Sequence, residues 1–364
     1  MILYLSMVLV VPVLYFAFRN NEHRDRIVLI TVCSYMFILL ALRKPFSDVI
    51  TYAGEYEYLK SFTFGEIIKD FHFIKAGSLT GMEWGFEFLC WVFSKLLHLP
   101  FQCFLVCEAA FCVFCVYRLI GKNSVCLPLS IALVICFGFF DYCFIILRQT
   151  TALGFLMLSI EQVKKRSIPG FLAMVVAAFM MHRSSMVFLA VYPLSYIPVN
   201  RKTVVIYCAL SLSLLFLYPV VSRTILKVVF EKMQRDGYLV IATEFRFKEM
   251  LLGLFAIALF LVFFADPKKE LDIRDRVSYW AFMVALPIEA LGAYVQILSR
   301  VSTLTFLPFA AIAIPNLLET NENRKLVRIF EVLIFCAGLA YYAYCLLYDK
   351  RELEIIPYGL FFRN

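Results

Sequence analysis

Charge is what this 364-residue chain has least of: Asp, Glu, Lys and Arg together make 17% of it, against 62% hydrophobic residues. Soluble domains carry about 25% charged and about 45–50% apolar residues. The composition therefore excludes a soluble enzyme, a disordered segment and a secreted disulfide scaffold. Apolar and polar residues do not alternate along the runs, which excludes the dyad pattern of a membrane β-barrel. No Lys or Arg precedes the first apolar run, Ile2–Phe18, while Arg19, Arg24 and Arg26 follow it. A secretory signal has the opposite order, so this run reads as an uncleaved first span with its N-terminus outside. Histidine is scarce, at four. The 12 cysteines lie nearly all within apolar runs, where a thiol behaves as a small hydrophobe. Cys112 and Cys115 form a CxxC spacing with no second pair and no clustered His, so no metal site and no redox centre is expected. No internal repeat is evident.

What the chain does have is long continuous apolar runs, which cross a bilayer only as helices. The expected fold is all-α: a polytopic membrane protein with spans at about 2–18, 27–42, 101–118, 125–140, 142–160, 168–181, 184–196, 203–220, 250–265, 277–297, 301–318 and 327–347. These are about 12 transmembrane helices in a single domain, 1–364, with two outer elements, 43–99 and 222–249. Within the first, Trp84–Leu97 is apolar but short and carries Glu87 and Lys95. If it does not cross, the loops 19–26, 118–124, 161–167, 197–202, 266–276 and 319–328 all face the cytoplasm and hold 17 Lys and Arg in 49 residues. The positive-inside rule favours that option, making the segment a re-entrant or interfacial outer helix. The net charge of +8 then sets orientation and is no signature of nucleic acid.

With that topology, the remaining charges gather on the outer side. Arg148 follows an apolar stretch, and Asp141 lies seven residues before it on one helical face. Either the two form a structural pair or Arg148 binds an anionic substrate group. Arg300 precedes a span, with Gln296 and Glu289 on the same face; it reads as a snorkelling side chain or as part of a polar channel wall. Glu108, inside a span, is a candidate partner for one of these arginines. His182 sits with Arg183 in a tight turn between two runs shorter than the roughly 20 residues a span needs. It reads as a structural group or as a base suited to a hydroxyl at neutral pH. Asp48, Tyr52 and Glu55, with Glu83-Trp84-Gly85-Phe86-Glu87, combine carboxylates and aromatics. Such a set binds sugars or forms an interfacial aromatic belt.

In order along the chain, Ser47-Asp48-x-x-x-Tyr52, Glu83-Trp84-Gly85-Phe86-Glu87, Arg148-Gln149, His182-x-Ser184-Ser185, Arg300 and Ile356-Pro357-Tyr358 resemble the EpsG-like (Wzy-type) polysaccharide polymerases of bacterial envelopes. Arg183 directly after the His and the long loop 222–249 depart from that pattern. The resemblance implies a metal-independent glycosyltransferase without cofactor, in the cytoplasmic membrane of a bacterium with its active site facing outward. Such a protein joins undecaprenyl-diphosphate-linked repeat units, transferring the growing chain to an acceptor sugar hydroxyl. It implies lipid-linked oligosaccharide donor and acceptor as partners, with a chain-length regulator and a flippase as companions. On this reading Arg148 and Arg300, assisted by Arg183 or Arg246, hold the diphosphate. His182 is the first choice of base, with Glu83 and Asp48 as alternatives, and Glu87, Tyr52, Trp84 and Tyr358 contact sugar. A flippase or transporter for lipid-linked oligosaccharides and a membrane acyltransferase are the alternatives.

Overall fold

A computed structural model describes residues 2–71, 79–224, 270–292, 296–348 and 358–361, with scattered positions within 254–262. The chain divides into two compact units, Met1–Val187 with Glu331–Asn364, and Phe188–Phe330. Among the described residues the architecture is all-helical, and the β pairing is a single antiparallel bridge between Arg43 and Leu360.

The first unit holds α1 (Ile2–Ala17), α2 (Arg24–Ala41), α3 (Asp48–Leu59), α4 (Phe64–Lys69), α5 (Trp84–Trp91), α6 (Phe101–Asn123), α7 (Leu127–Cys136), α8 (Phe139–Cys143), α9 (Leu147–Lys164) and α10 (Ile168–Met181). A 3-10 segment, Arg183–Ala190, leads into the second unit, with α11 (Val191–Leu194), α12 (Arg201–Thr224), α13 (Ile273–Met283), α14 (Ala285–Gly292) and α15 (Gln296–Glu319). The final helix, α16 (Arg324–Tyr348), belongs to the first unit from Glu331 onward. Among the described residues two stretches, Phe101–Asn123 and Arg324–Leu347, are long and apolar enough to cross a membrane.

Several expected spans appear as broken helices. The run 142–160 splits at Phe144–Ile146, where Ile146 leaves helical geometry (φ −101°, ψ 67°) before α9. The run 184–196 is 3-10 backbone followed by one turn of α-helix. The run 277–297 divides between α13 and α14. Most of the expected span 250–265, and the outer element 222–249 beyond Thr224, lie outside the described residues.

Three helices fix the frame of the first unit. Gln102 at the start of α6 donates to the Ala41 carbonyl at the end of α2 (2.6 Å), so these two run antiparallel. Glu108 meets Thr150 near one end of α6 and α9 (3.3 Å), and Lys122 meets Glu161 near the other (3.7 Å), so these run parallel. Gly154 lets them approach: a β-carbon there would collide with the Phe111 ring. Ser167 caps α10 by accepting from the Gly170 N–H (3.3 Å), returning the chain alongside α9.

The segment between α2 and α6 folds as a small layer on one end of this frame. A reciprocal capping box opens α4, Thr63 Oγ1 accepting from the Glu66 N–H and Glu66 Oε2 from the Thr63 N–H. Those hydrogen bonds hold the Glu66 carboxyl below its ordinary range. Tyr56, Leu59, Phe86 and Cys90 bury completely against Leu105 and Leu147, so apolar burial seats the layer on α6 and α9. α5 has eight residues and continues into a five-residue π-helical turn, Val92–Leu96. That length covers about 20 Å, short of the roughly 30 Å hydrocarbon thickness. The tail closes on the same end: Lys44 N–H donates to Gly359 (2.7 Å), Phe361 N–H to Leu42 (3.1 Å) and the Tyr358 hydroxyl to Leu39 (2.9 Å).

Candidate functional site

Glu83 is the centre of the site. It stands at the N-cap of α5 but does not cap that helix with its side chain. One carboxylate oxygen instead accepts from Arg148 Nη1 at 2.7 Å, and the other from the Arg183 backbone N–H at 3.3 Å, with Arg183 Nε at 3.9 Å. Arg148 comes from the first turn of α9 and Arg183 from the turn after α10. Arg148 Nε also donates to the Tyr52 hydroxyl at 3.4 Å, with the guanidinium 5.6 Å from that ring's centroid. Asp48 is exposed one turn before Tyr52 on α3.

The close approach of α5 to α10 brings these groups together. At Gly85 an added β-carbon would lie 2.6 Å from both the Met180 Cβ and the Met180 carbonyl oxygen, so glycine is required for the two helices to touch. Two residues on from Met180, α10 ends at His182, whose backbone turns extended (φ −157°, ψ 124°). The Ser184 N–H donates to His182 Nδ1 (3.3 Å), and Ser184 Oγ lies 2.7 Å from the same nitrogen. This pattern assigns Nδ1 as the unprotonated nitrogen. Burial holds the His182 pKa below 6.5; Glu83 opposes that shift, and Arg148 and Arg183 add to it. The imidazole is therefore neutral at pH 7, with a lone pair directed at a serine hydroxyl.

The geometry thus joins Glu83, Arg148, Arg183, His182 and Tyr52 and separates other residues from them. Asp141 is not the partner of Arg148: it accepts from the Tyr342 hydroxyl at 2.9 Å. The chain between α8 and α9 is not one continuous helix, so the seven-residue spacing places no common face. Glu108 pairs with Arg43 (3.3 Å), not with Arg148, and also accepts from Thr150 and Cys112. Glu87 faces away from the arginines, accepting from the Thr80 N–H (3.1 Å) and hydroxyl. Burial pushes its carboxyl up to about 7, against the Thr80 hydrogen bonds. Trp84 gives its N–H to Ile67 (2.8 Å), stacks on Phe88 at 5.0 Å and meets Phe71 at 4.8 Å, so its ring is committed to the layer. Tyr358 packs on Phe144 at 6.2 Å. Arg300 lies in α15 of the second unit, its side chain outside the described set, and Arg246 lies outside the described residues.

Sequence reasoning passed over Arg43 as a core residue, although its guanidinium is fully buried and also donates to the Leu40 carbonyl (2.6 Å). The signal was available: Glu108 inside an apolar helix needs a cation, and Arg43 ends the preceding span. The Gly85–Met180 contact left no signal in a single sequence.

No curated protein and no solved structure matches the chain. A family model described as the EpsG family matches residues 3–360. That family is associated with glycosyltransferase-type polymerase activity, and together with the apolar helices it marks a membrane protein. With nearly its whole length covered, the chain belongs to the EpsG family.

Proposed function

We propose that this protein polymerises polysaccharide from undecaprenyl-diphosphate-linked repeat units at the outer face of the bacterial cytoplasmic membrane. The observation that carries the reading is the pair of arginines brought from α9 and the α10 turn onto one carboxylate, beside a neutral histidine. Arginine stays charged and matches phosphate oxygens with a planar fork. Arg148 and Arg183 hold the diphosphate and stabilise the charge that grows on it as it leaves. The acceptor sugar hydroxyl attacks the anomeric carbon of the growing chain, and the bond from that carbon to the diphosphate oxygen breaks with its electron pair going to the diphosphate. The hydroxyl proton passes to Ser184 Oγ, whose own proton moves to His182 Nδ1. Tyr52 and Asp48 contribute polar contacts at the rim, and Arg300 and Arg246 are further candidates for the diphosphate.

Twelve spans with the site outward make up the topology of this reading. Its support is the basic residues Arg24, Lys122 and Lys164, which occupy the ends of α2, α6 and α9 opposite Arg148 and His182. The test is purified protein in detergent with authentic lipid-linked repeat units, read as a ladder of longer glycans on a gel. Arg148→Ala is expected to lower the ladder-forming rate by about a hundredfold or more while the protein still folds. Retained activity in both Arg148→Ala and Arg300→Ala removes the diphosphate assignment.

A further inference from the structure

The two arginines assigned to the diphosphate are already engaged. Glu83 offers one oxygen to Arg148 (2.7 Å) and the other to Arg183 (3.3 Å from its N–H, 3.9 Å from Nε). A diphosphate bridging the same two residues would likewise present separate oxygens to each. Glu83 is nearly buried, at 8% exposure, so its carboxylate occupies this ground rather than solvent.

The carboxylate also has somewhere else to go. Glu83 is the N-cap of α5, where an acidic side chain ordinarily accepts from the second or third N–H of its own helix. It makes no such bond. A rotation about its side-chain torsions carries it from the arginines to the start of α5 without moving the backbone, which Gly85 pins against Met180. The ion pair is the stronger of the two positions and the cap the weaker, so the carboxylate leaves the arginines only when another anion takes its place there.

We propose that Glu83 is an internal stand-in for the substrate's diphosphate: it holds Arg148 and Arg183 in place when the site is empty, and an incoming diphosphate displaces it to the N-terminus of α5. This rests on the assignment of those arginines to a diphosphate. The stand-in gives half-buried Arg148 a countercharge while the site is empty, which spares the cost of leaving that cation unpaired. It also sets a threshold, because an anion must bridge both arginines to win the exchange.

The experiment is calorimetric titration of the full-length protein in detergent with inorganic pyrophosphate and with farnesyl diphosphate, on wild type, Glu83→Gln, Glu83→Ala and Arg148→Ala. Glu83→Gln keeps acceptor oxygen for the Arg183 N–H and removes the competing charge; Glu83→Ala removes the competitor outright. Both are expected to bind each probe about tenfold more tightly than wild type, while the ladder-forming rate does not rise. Unchanged or weaker binding in both Glu83 variants, with Arg148→Ala still abolishing binding, overturns the displacement and leaves the diphosphate site standing. Binding that Arg148→Ala leaves intact overturns the site assignment and the displacement together. Tighter farnesyl diphosphate than pyrophosphate binding identifies a lipid-linked source for the anion.

Discussion

Arg43 and Glu108 show what a charge needs in an apolar bundle. Their side chains are 0% and 3% exposed, and among the described residues they form an ion pair with each other. Removing one partner strands the other. Arg43→Met is expected to destabilise the fold by about 3–5 kcal/mol, read as a drop in thermal unfolding midpoint in detergent. Adding Glu108→Leu to it is expected to recover most of that loss, because no buried charge remains. A double variant as unstable as the single one contradicts this account. His182 makes the complementary argument about function. Burial lowers its pKa below 6.5, so the neutral, basic form prevails at pH 7 and is lost only as pH falls through the lowered value. The acid limb of kcat/KM is expected below pH 6.5. A limb at or above 6.5 removes His182 as the base.

At the scale of elements, the site depends on how closely α5 and α10 approach. Gly85→Ala places a methyl group 2.6 Å from Met180 Cβ and backbone oxygen, neither of which a side-chain rotation relieves. The substitution is expected to cost about 1–3 kcal/mol and to reduce ladder formation further than that loss of folded protein explains, since Glu83 precedes Gly85 by two residues. Equal activity per folded molecule would show that the contact does not set the geometry. Elements also mark how far the sequence could be read. The apolar run 168–181 coincides with α10, Ile168–Met181, because Ser167 and Pro169 start it and the polar His182-Arg183-Ser184-Ser185 stops it. The grouping of Glu83, Arg148, Arg183 and His182 was legible too, as charges at the ends of runs. Which carboxylate met which arginine was not. Pairing by helical spacing requires an unbroken helix, and the departure at Ile146 rotates Arg148 away from Asp141 toward a residue 65 positions distant. The surroundings of Trp84 were not legible either: its ring stacks on Phe88 once α5 forms.

Across the whole molecule, the outward surface is apolar where a soluble protein would be polar. Val13 and Phe16 on α1 and Val332 and Leu333 on α16 are all more than half exposed, which is costly in water and favourable against lipid tails. Within the first unit the polar groups divide between two ends. Arg24, Lys122, Glu161 and Lys164 mark one, and Glu83, Arg148, His182, Arg183 and the tail residues Tyr358–Phe361 mark the other. The proposed function requires the second end to face outward, which is the orientation the positive-inside rule predicts. The division is measurable. In a background with the exposed Cys107 and Cys336 and the other cysteines replaced, Arg183→Cys is expected to react with a membrane-impermeant maleimide on intact cells or spheroplasts. Lys165→Cys, exposed in the turn after α9, is expected to react only after permeabilisation. The reverse pattern would leave the arginines facing the cytosol. The donor would then have to be used before export, and the family's chemistry would need a different side of the membrane to act on.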